Sequence, residues 1–140
     1  MYSLNELKRQ NQEISDLIEV LSLLLNQPQM MQNPLVCELV GRFNEKVWMH
    51  LVFEDDALYA ELAKHHNPQI NALAQEFHNS SRKIKKQFSQ YMKLWCQASG
   101  TDHYQQAFCE QTPAMLEKIR QRIAFESEHM FPLVEARSAA

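Results

Sequence analysis

Residues that interrupt regular structure are scarce in this 140-residue chain, which has two glycines and five prolines. With so few glycines there is no Gly-rich loop to cradle a phosphate, and the sequence contains neither a P-loop nor a nucleophile-elbow motif. Good helix formers such as Leu, Gln, Glu and Lys are frequent instead. The composition therefore predicts a helical protein, and we expect no enzymatic activity.

The sequence also lacks the charge and the long apolar segments that mark several other classes of protein. Its net charge is −3 and its pI is about 6.1, so the overall field does not favour nucleic acid. The longest apolar run, "VLSLLL" at residues 20–25, is too short to span a bilayer, and "MYSLNELKRQ" lacks the apolar segment of a signal peptide. We therefore expect neither nucleic acid nor membrane as a partner.

Cysteine is present three times, at Cys37, Cys96 and Cys109, and no pair has the CxxC spacing. An odd number of scattered cysteines favours buried thiols over a disulfide framework or a zinc site. The sequence therefore predicts reduced thiols and a cytoplasmic location.

Helix starts can be predicted from capping residues that precede a proline at the first helical position. Three such pairs occur: Asn33-Pro34, Asn67-Pro68 and Thr112-Pro113. Helices are expected over residues 4–26, 34–64, 68–98 and 113–137, the last with an entry of one or two turns from 102. Short connections make neighbouring helices antiparallel. The prediction is a single all-α domain spanning residues 1–140, an antiparallel up-down four-helix bundle.

Several polar residues fall on the apolar stripes of these helices when successive residues are placed about 100° apart. Glu54 lies at the centre of the second stripe with His50 beside it, and Asn11 lies inward in the first helix. Glu126 lies inward in the last helix, with Arg122 at the edge of its stripe. Because a bundle brings the middles of its helices to one level, we expect these five residues to form a buried polar layer.

Two interpretations of this layer are open on the residues alone. Buried carboxylates with imidazole are metal ligands in bundle cores, and such a set suits iron, manganese or zinc. Alternatively, His50 with Glu54 is a hydrogen-bonded pair, and Arg122 with Glu126 is an ion pair at spacing i, i+4. His78, at the edge of the third stripe, is then a structural histidine.

Two segments resemble the haemerythrin-like, HHE cation-binding domains. "HLVFEDDALYAEL" from His50 is similar to that family's second helix, typically H-x-x-x-E-x-x-x-L-Y-P, and "RIAFESEHMFPLVE" from Arg122 is similar to its last helix, typically H-I-x-x-E-E-x-x-L-F-P-L. The resemblance implies a four-helix bundle around a non-haem di-iron centre with five histidines and two bridging carboxylates. Members of the family bind oxygen or sense oxygen, redox state or iron.

The implied ligand set is incomplete in this sequence. Glu54, Glu126 and His50 match, whereas Asn11 and Arg122 stand where histidines are expected. The expected pair in the third helix is best matched by Ala74 and His78. We therefore predict a degenerate or lost di-iron centre that does not carry oxygen, with Arg122 replacing the metal. The alternative is residual, weak iron or zinc binding by His50, Glu54, His78 and Glu126.

Function is then expected to depend on protein contacts. The main prediction is a regulatory or binding domain with a protein partner, or a homodimer formed through Trp48 and Phe53. A second prediction is a helical regulator of the Rsd/AlgQ type that binds a sigma factor, because "LVCELVGRF…WMH" and "RIAFES" are similar to its helices. A phosphorelay domain using His78 is a third, weaker match because "HNSSRK" only loosely fits such a site.

Overall fold

The computed structural model describes residues 4–27, 29, 33–93 and 102–139, which are helical apart from short connections. The prediction of an all-α fold is confirmed. The α-helices are α1 (Leu4–Leu25), α2 (Pro34–Phe53), α3 (Ala60–Ala63), α4 (Pro68–Met92), α5 (Asp102–Phe125) and α6 (Phe131–Ala139). Two π-helical segments, Glu54–Tyr59 and Glu126–Met130, join α2 to α3 and α5 to α6. No helix in the described ranges is both long enough and apolar enough to cross a membrane.

Two of the three predicted helix starts are confirmed. The side-chain oxygen of Asn33 accepts a hydrogen bond from the Leu35 amide at 2.8 Å, and Pro34 takes the first helical position of α2. Asn67 caps α4 in the same way through the Gln69 amide, also at 2.8 Å. In both cases the side chain satisfies a backbone donor that the first helical turn leaves unpaired.

The predicted start at Thr112-Pro113 is wrong, because α5 begins at Asp102 and Pro113 lies inside it. The predicted entry of this helix from residue 102 is confirmed. The Thr112 hydroxyl does not begin a new helix; it forms a buried 2.8 Å hydrogen bond with the Tyr91 hydroxyl of α4. Proline in a helix interior costs about 3 kcal/mol, so tertiary packing outweighs local preference here.

The buried apolar side chains form two clusters. Residues of α1, α2, α4 and α5 contribute to the first. Its members are Ile14, Ile18, Leu21, Val36, Val40, Phe43, Val47, Leu51, Ile84, Phe88, Tyr91, Leu116 and Ile119. The members of the second are Leu7, Leu58, Leu62, Ala74, Phe77, Met130 and Phe131. Along the chain the order of the two clusters reverses from each long helical segment to the next. The up-down topology of four helices stays a prediction.

Polar residues separate the two clusters on every long helical segment. Asn11 lies between Leu7 and Ile14 in α1, and Glu54 lies between Leu51 and Leu58. Ser81 lies between Phe77 and Ile84 in α4, and Arg122 and Glu126 lie between Ile119 and Met130. The interior therefore contains a buried polar layer between two hydrophobic regions, with Asn11, His50, Glu54, Arg122 and Glu126 as predicted members and Ser81 as an additional one.

The expectation of three reduced thiols is wrong at Cys37, which is disulfide-bonded. The side chains of Cys96 and Cys109 lie outside the part of the chain that the structure describes. Sequence spacing gave no indication of this bond, because a disulfide depends on two Cα atoms coming within about 7 Å in the folded chain.

Candidate functional site

Both buried glutamates of the polar layer begin a π-helical segment. Glu54 is the first residue of Glu54–Tyr59, and Glu126 is the first residue of Glu126–Met130. At the second segment the Phe131 amide donates to the Glu126 carbonyl, five residues earlier, which is the π-helical pattern. Such single π-turns in long helices are frequent at functional sites. Both segments depart from the uninterrupted α-helix that the apolar period of the sequence predicts.

His50 is held between the two carboxylates. Its Nε2 lies 2.5 Å from Glu54 Oε1 and 2.8 Å from Glu126 Oε1. Its Nδ1 lies 2.7 Å from the amide oxygen of Gln10 in α1. Because that oxygen only accepts, Nδ1 donates to it, and an imidazolium also donates from Nε2 to the carboxylates. Burial lowers the pKa of His50, but the charges of Glu54 and Glu126 outweigh it and raise the pKa to about 10.

Arg122 is the second cation of the site. Its Nη2 and Nε donate to Glu54 Oε2 at 2.8 and 3.3 Å, so the ion pair crosses from α5 to the end of α2. Nε also lies 3.5 Å from Glu126 Oε2, one turn later on the same chain segment. The guanidinium carbon stacks 4.0 Å from the ring centroid of Phe77. The side chain is only 5% exposed, so this charge is fixed inside the bundle.

The two carboxyl groups differ in their tendency to ionise although both are fully buried. For Glu54, burial favours the neutral acid, but the charge of His50, the hydrogen bond with Glu126 and the charge of Arg122 together lower the pKa. For Glu126, burial and the negative charge of Glu54 raise the pKa to about 8. With Glu54 ionised and His50 and Arg122 both positively charged, ionisation of Glu126 brings the net charge of the four side chains to zero.

The remaining residues predicted for the site are placed less centrally. Asn11 is buried, and its side-chain nitrogen lies 3.5 Å from Ser127 Oγ. His78 stacks on the ring of Tyr59, with 4.1 Å between centroids, and it is not a member of the His50, Glu54 and Glu126 cluster. Gln10, the partner of His50, was missed, because it lies one residue off the inward stripe and nothing in the sequence marks it.

The donors in the polar layer do not fit two metal ions with five imidazoles. Among the described residues, the potential ligand atoms within 4.8 Å of one another come from His50, Glu54 and Glu126 alone. One Glu54 oxygen already accepts two bonds from Arg122, whose charge cannot be removed by deprotonation. Glu54 Oε1 faces His50 Nε2 at 2.5 Å and Glu126 Oε2 faces Arg122 Nε at 3.5 Å, so the three clustered residues offer ligands for at most one cation within the described part of the chain.

Fold and site together define a helical domain whose interior holds an imidazole–carboxylate cluster of the kind that binds cations. A comparison with protein families identifies the family. The family model of the Hemerythrin HHE cation binding domain matches residues 3–134, so the chain belongs to this family. The resemblance noted from the two motifs is thereby confirmed. No curated protein and no solved structure matches the chain.

Proposed function

We propose that this chain is a haemerythrin-like binding or regulatory domain in which an internal ion-pair network has replaced the di-iron centre. One observation carries the proposal. The Arg122 guanidinium lies 2.8 Å from Glu54 and 3.5 Å from Glu126, the two carboxylates that match the family's bridging ligands. The network supplies from within the chain the positive charge that metal ions supply in the family.

Charge arithmetic supports the replacement. At an effective dielectric constant near 20, two unit charges 4 Å apart interact with about 4 kcal/mol, so a divalent cation beside a guanidinium meets about twice that repulsion. His50 and Arg122 already provide two positive charges for the two carboxylates. A metal ion would therefore need to displace Arg122 or compete with it. We infer that the domain does not carry oxygen and has no catalytic role.

Exposed apolar side chains support a function in protein contacts. Large hydrophobic residues at the surface of α1 and α2 are Val20, Leu23, Leu35, Trp48 and Met49. Such residues are common at protein interfaces when they are contiguous. The predicted homodimer patch is only partly supported, because Trp48 is 37% exposed while Phe53 packs against the second hydrophobic cluster. The partner, whether a second copy or another protein, stays a prediction.

A cytoplasmic location also stays a prediction. It was expected from three reduced thiols and from the lack of a signal-peptide or membrane-spanning segment, and the disulfide at Cys37 removes the first of these supports.

A residual mononuclear site is the second candidate. The potential ligand atoms of His50, Glu54 and Glu126, which lie within 4.8 Å of one another, favour it. Iron or zinc would suit these donors. His78 is not part of that cluster, so the site would have three protein ligands. The Rsd/AlgQ-type alternative stays a prediction that affinity capture with sigma factors would test.

Metal content separates the two candidates. We expect wild-type protein purified from iron-supplemented cells to contain well under one iron or zinc per chain by elemental analysis. Replacing Arg122 by His or by Gln removes the internal cation and should raise metal content, because the guanidinium then no longer repels a metal ion from His50, Glu54 and Glu126. Arg120→Gln is the matched control, since Arg120 is exposed on the same helix and pairs with Glu117. Wild-type protein with one or more irons per chain would overturn the proposal.

A further inference from the structure

A cavity of about 400 Å³ lies between α4 and α5, beside the polar layer. Its apolar walls include Phe77 and Ile84 of α4 and Phe125 of α5. The rings of Phe77 and Phe125 are nearly parallel, 6.2 Å apart with 16° between their planes. The volume falls in the range of about 300–1,000 Å³ that is typical of small-molecule sites. The cavity is therefore large enough for one small organic molecule.

The buried end of this cavity is Arg122. Its Nε and Nη2 are used by Glu54, whereas Nη1 makes a long contact of 3.5 Å to Ser80 Oγ. Ser80 is exposed and lines the same cavity, so Nη1 is the guanidinium nitrogen on the cavity side of the ion pair. A carboxylate there would receive a charge-assisted hydrogen bond from a group whose orientation Glu54 and Phe77 already fix.

The rim of the cavity has the matching sign of charge. Lys83 of α4 and Lys118 of α5 both line it and are exposed, and Glu76 is the acidic residue among its lining side chains. Lys118 donates a hydrogen bond to Gln87 across the opening. The charge of Arg122 is paired with Glu54, so the two lysines against Glu76 supply the surplus positive charge around the cavity. This surplus disfavours a metal ion and favours an anionic ligand.

We propose that this cavity binds a small organic carboxylate with a flat apolar body, the carboxylate on Arg122 Nη1 and the body against Phe77 and Phe125. Such a ligand would touch the same guanidinium that holds Glu54, so its binding is coupled to the polar layer. The inference rests on the proposed function only because it takes Arg122 as a permanent cation of the bundle. It adds the class of ligand that a regulatory domain without iron would recognise.

A calorimetric titration of the full chain with 2-naphthoate at constant temperature tests the inference. We expect saturable binding of one equivalent per chain, and binding of the neutral analogue 2-naphthalenemethanol at least about tenfold weaker because it lacks the charge. Excess inorganic phosphate should not displace the naphthoate, since phosphate has no apolar body. Absence of saturable naphthoate binding, equal affinity for the alcohol, or displacement by phosphate would each overturn the proposal.

Variants at the exposed surface keep the test independent of folding. Ser80→Phe should fill the cavity and weaken naphthoate binding by about tenfold or more, whereas Asn79→Phe, on a neighbouring exposed position of α4, should not. Lys83→Gln should weaken it by a smaller factor and flatten its salt dependence, with Lys86→Gln as the matched control outside the lining. Unchanged naphthoate binding in Ser80→Phe would overturn the assignment. Dissociation of a wild-type dimer by this variant would overturn it too, because the surface would then be a contact between two copies of the chain.

Elemental analysis of the same samples distinguishes the two proposals. Naphthoate binding by protein that holds stoichiometric iron would overturn the proposed function and leave the cavity assignment standing. Failure of naphthoate to bind metal-free protein would overturn the cavity assignment alone.

Discussion

Replacing Arg122 by Met tests the central claim, because it removes the charge from the polar layer while keeping a long apolar side chain. Arg122 makes a buried ion pair with Glu54 and stacks on Phe77. Removing one partner of a buried ion pair typically costs about 3–5 kcal/mol, and the lost cation–π contact adds about 1 kcal/mol. We therefore expect the free energy of unfolding to fall by about 4–6 kcal/mol, a large share of the 5–15 kcal/mol typical of a domain.

Urea unfolding followed by far-UV circular dichroism measures this change. Arg120→Met on the same helix is the control, and it should change the free energy of unfolding by no more than about 0.5 kcal/mol because the side chain is about half exposed. The double variant Arg122→Met with Glu54→Gln should be less destabilised than the sum of its single variants by about 2 kcal/mol, since it leaves no unpaired anion. A loss below about 1 kcal/mol in Arg122→Met, or additivity within about 0.5 kcal/mol, would refute the reasoning.

Two further predictions concern pH and a second buried contact. The pKa of His50 rises from an ordinary 6.5 to about 10 on folding, so its stabilising contribution is complete below pH 6.5 and lost as the pH rises to 10. Ionisation of Glu126, whose pKa is raised from 4.5 to about 8, reduces stability in the same direction, whereas the lowered pKa of Glu54 makes stability fall again below pH 4.5. The urea midpoint, measured from acid to alkaline pH, should fall at both ends of the range. His50→Gln should make the fall at alkaline pH shallower, and an unchanged alkaline slope would contradict the raised pKa of His50. Separately, Tyr91→Phe and Thr112→Val should each lower stability by about 1 kcal/mol, with the double variant costing clearly less than the sum; strict additivity in urea titrations would count against a direct bond.

The inward positions of the polar layer could be predicted from the sequence because they depend on helical period alone. A residue such as Glu54, in phase with Val36 and Leu51, must face the interior wherever the helix packs. Helical phase placed His78 at the edge of the third stripe, and the structure stacks it on Tyr59. Periodicity gives the direction of a side chain, however, and not the partner that it meets there.

Features that depend on tertiary contacts were not predictable in this way. The helix continues through Pro113, beside a buried bond between Thr112 and Tyr91 whose residues are 21 apart in the chain. The disulfide at Cys37 likewise depends on distance in the folded chain. The π-helical turns at Glu54 and Glu126 lie in segments that read as ordinary α-helix, since their composition contains no glycine or proline to mark them.

The charges of the polar layer explain why restoring one histidine does not restore a di-iron centre. Arg122 is long enough to contact Glu126 on its own segment and Glu54 on another, so one side chain neutralises parts of both carboxylates. A histidine at that position would be a ligand but would contribute no permanent charge, and the carboxylates would then favour a cation. Asn11 and Ala74 would still provide no imidazole, so the donors would suffice for a single ion. The metal gained by Arg122→His should therefore approach one ion per chain and not two, because the second set of ligands is missing independently of the arginine.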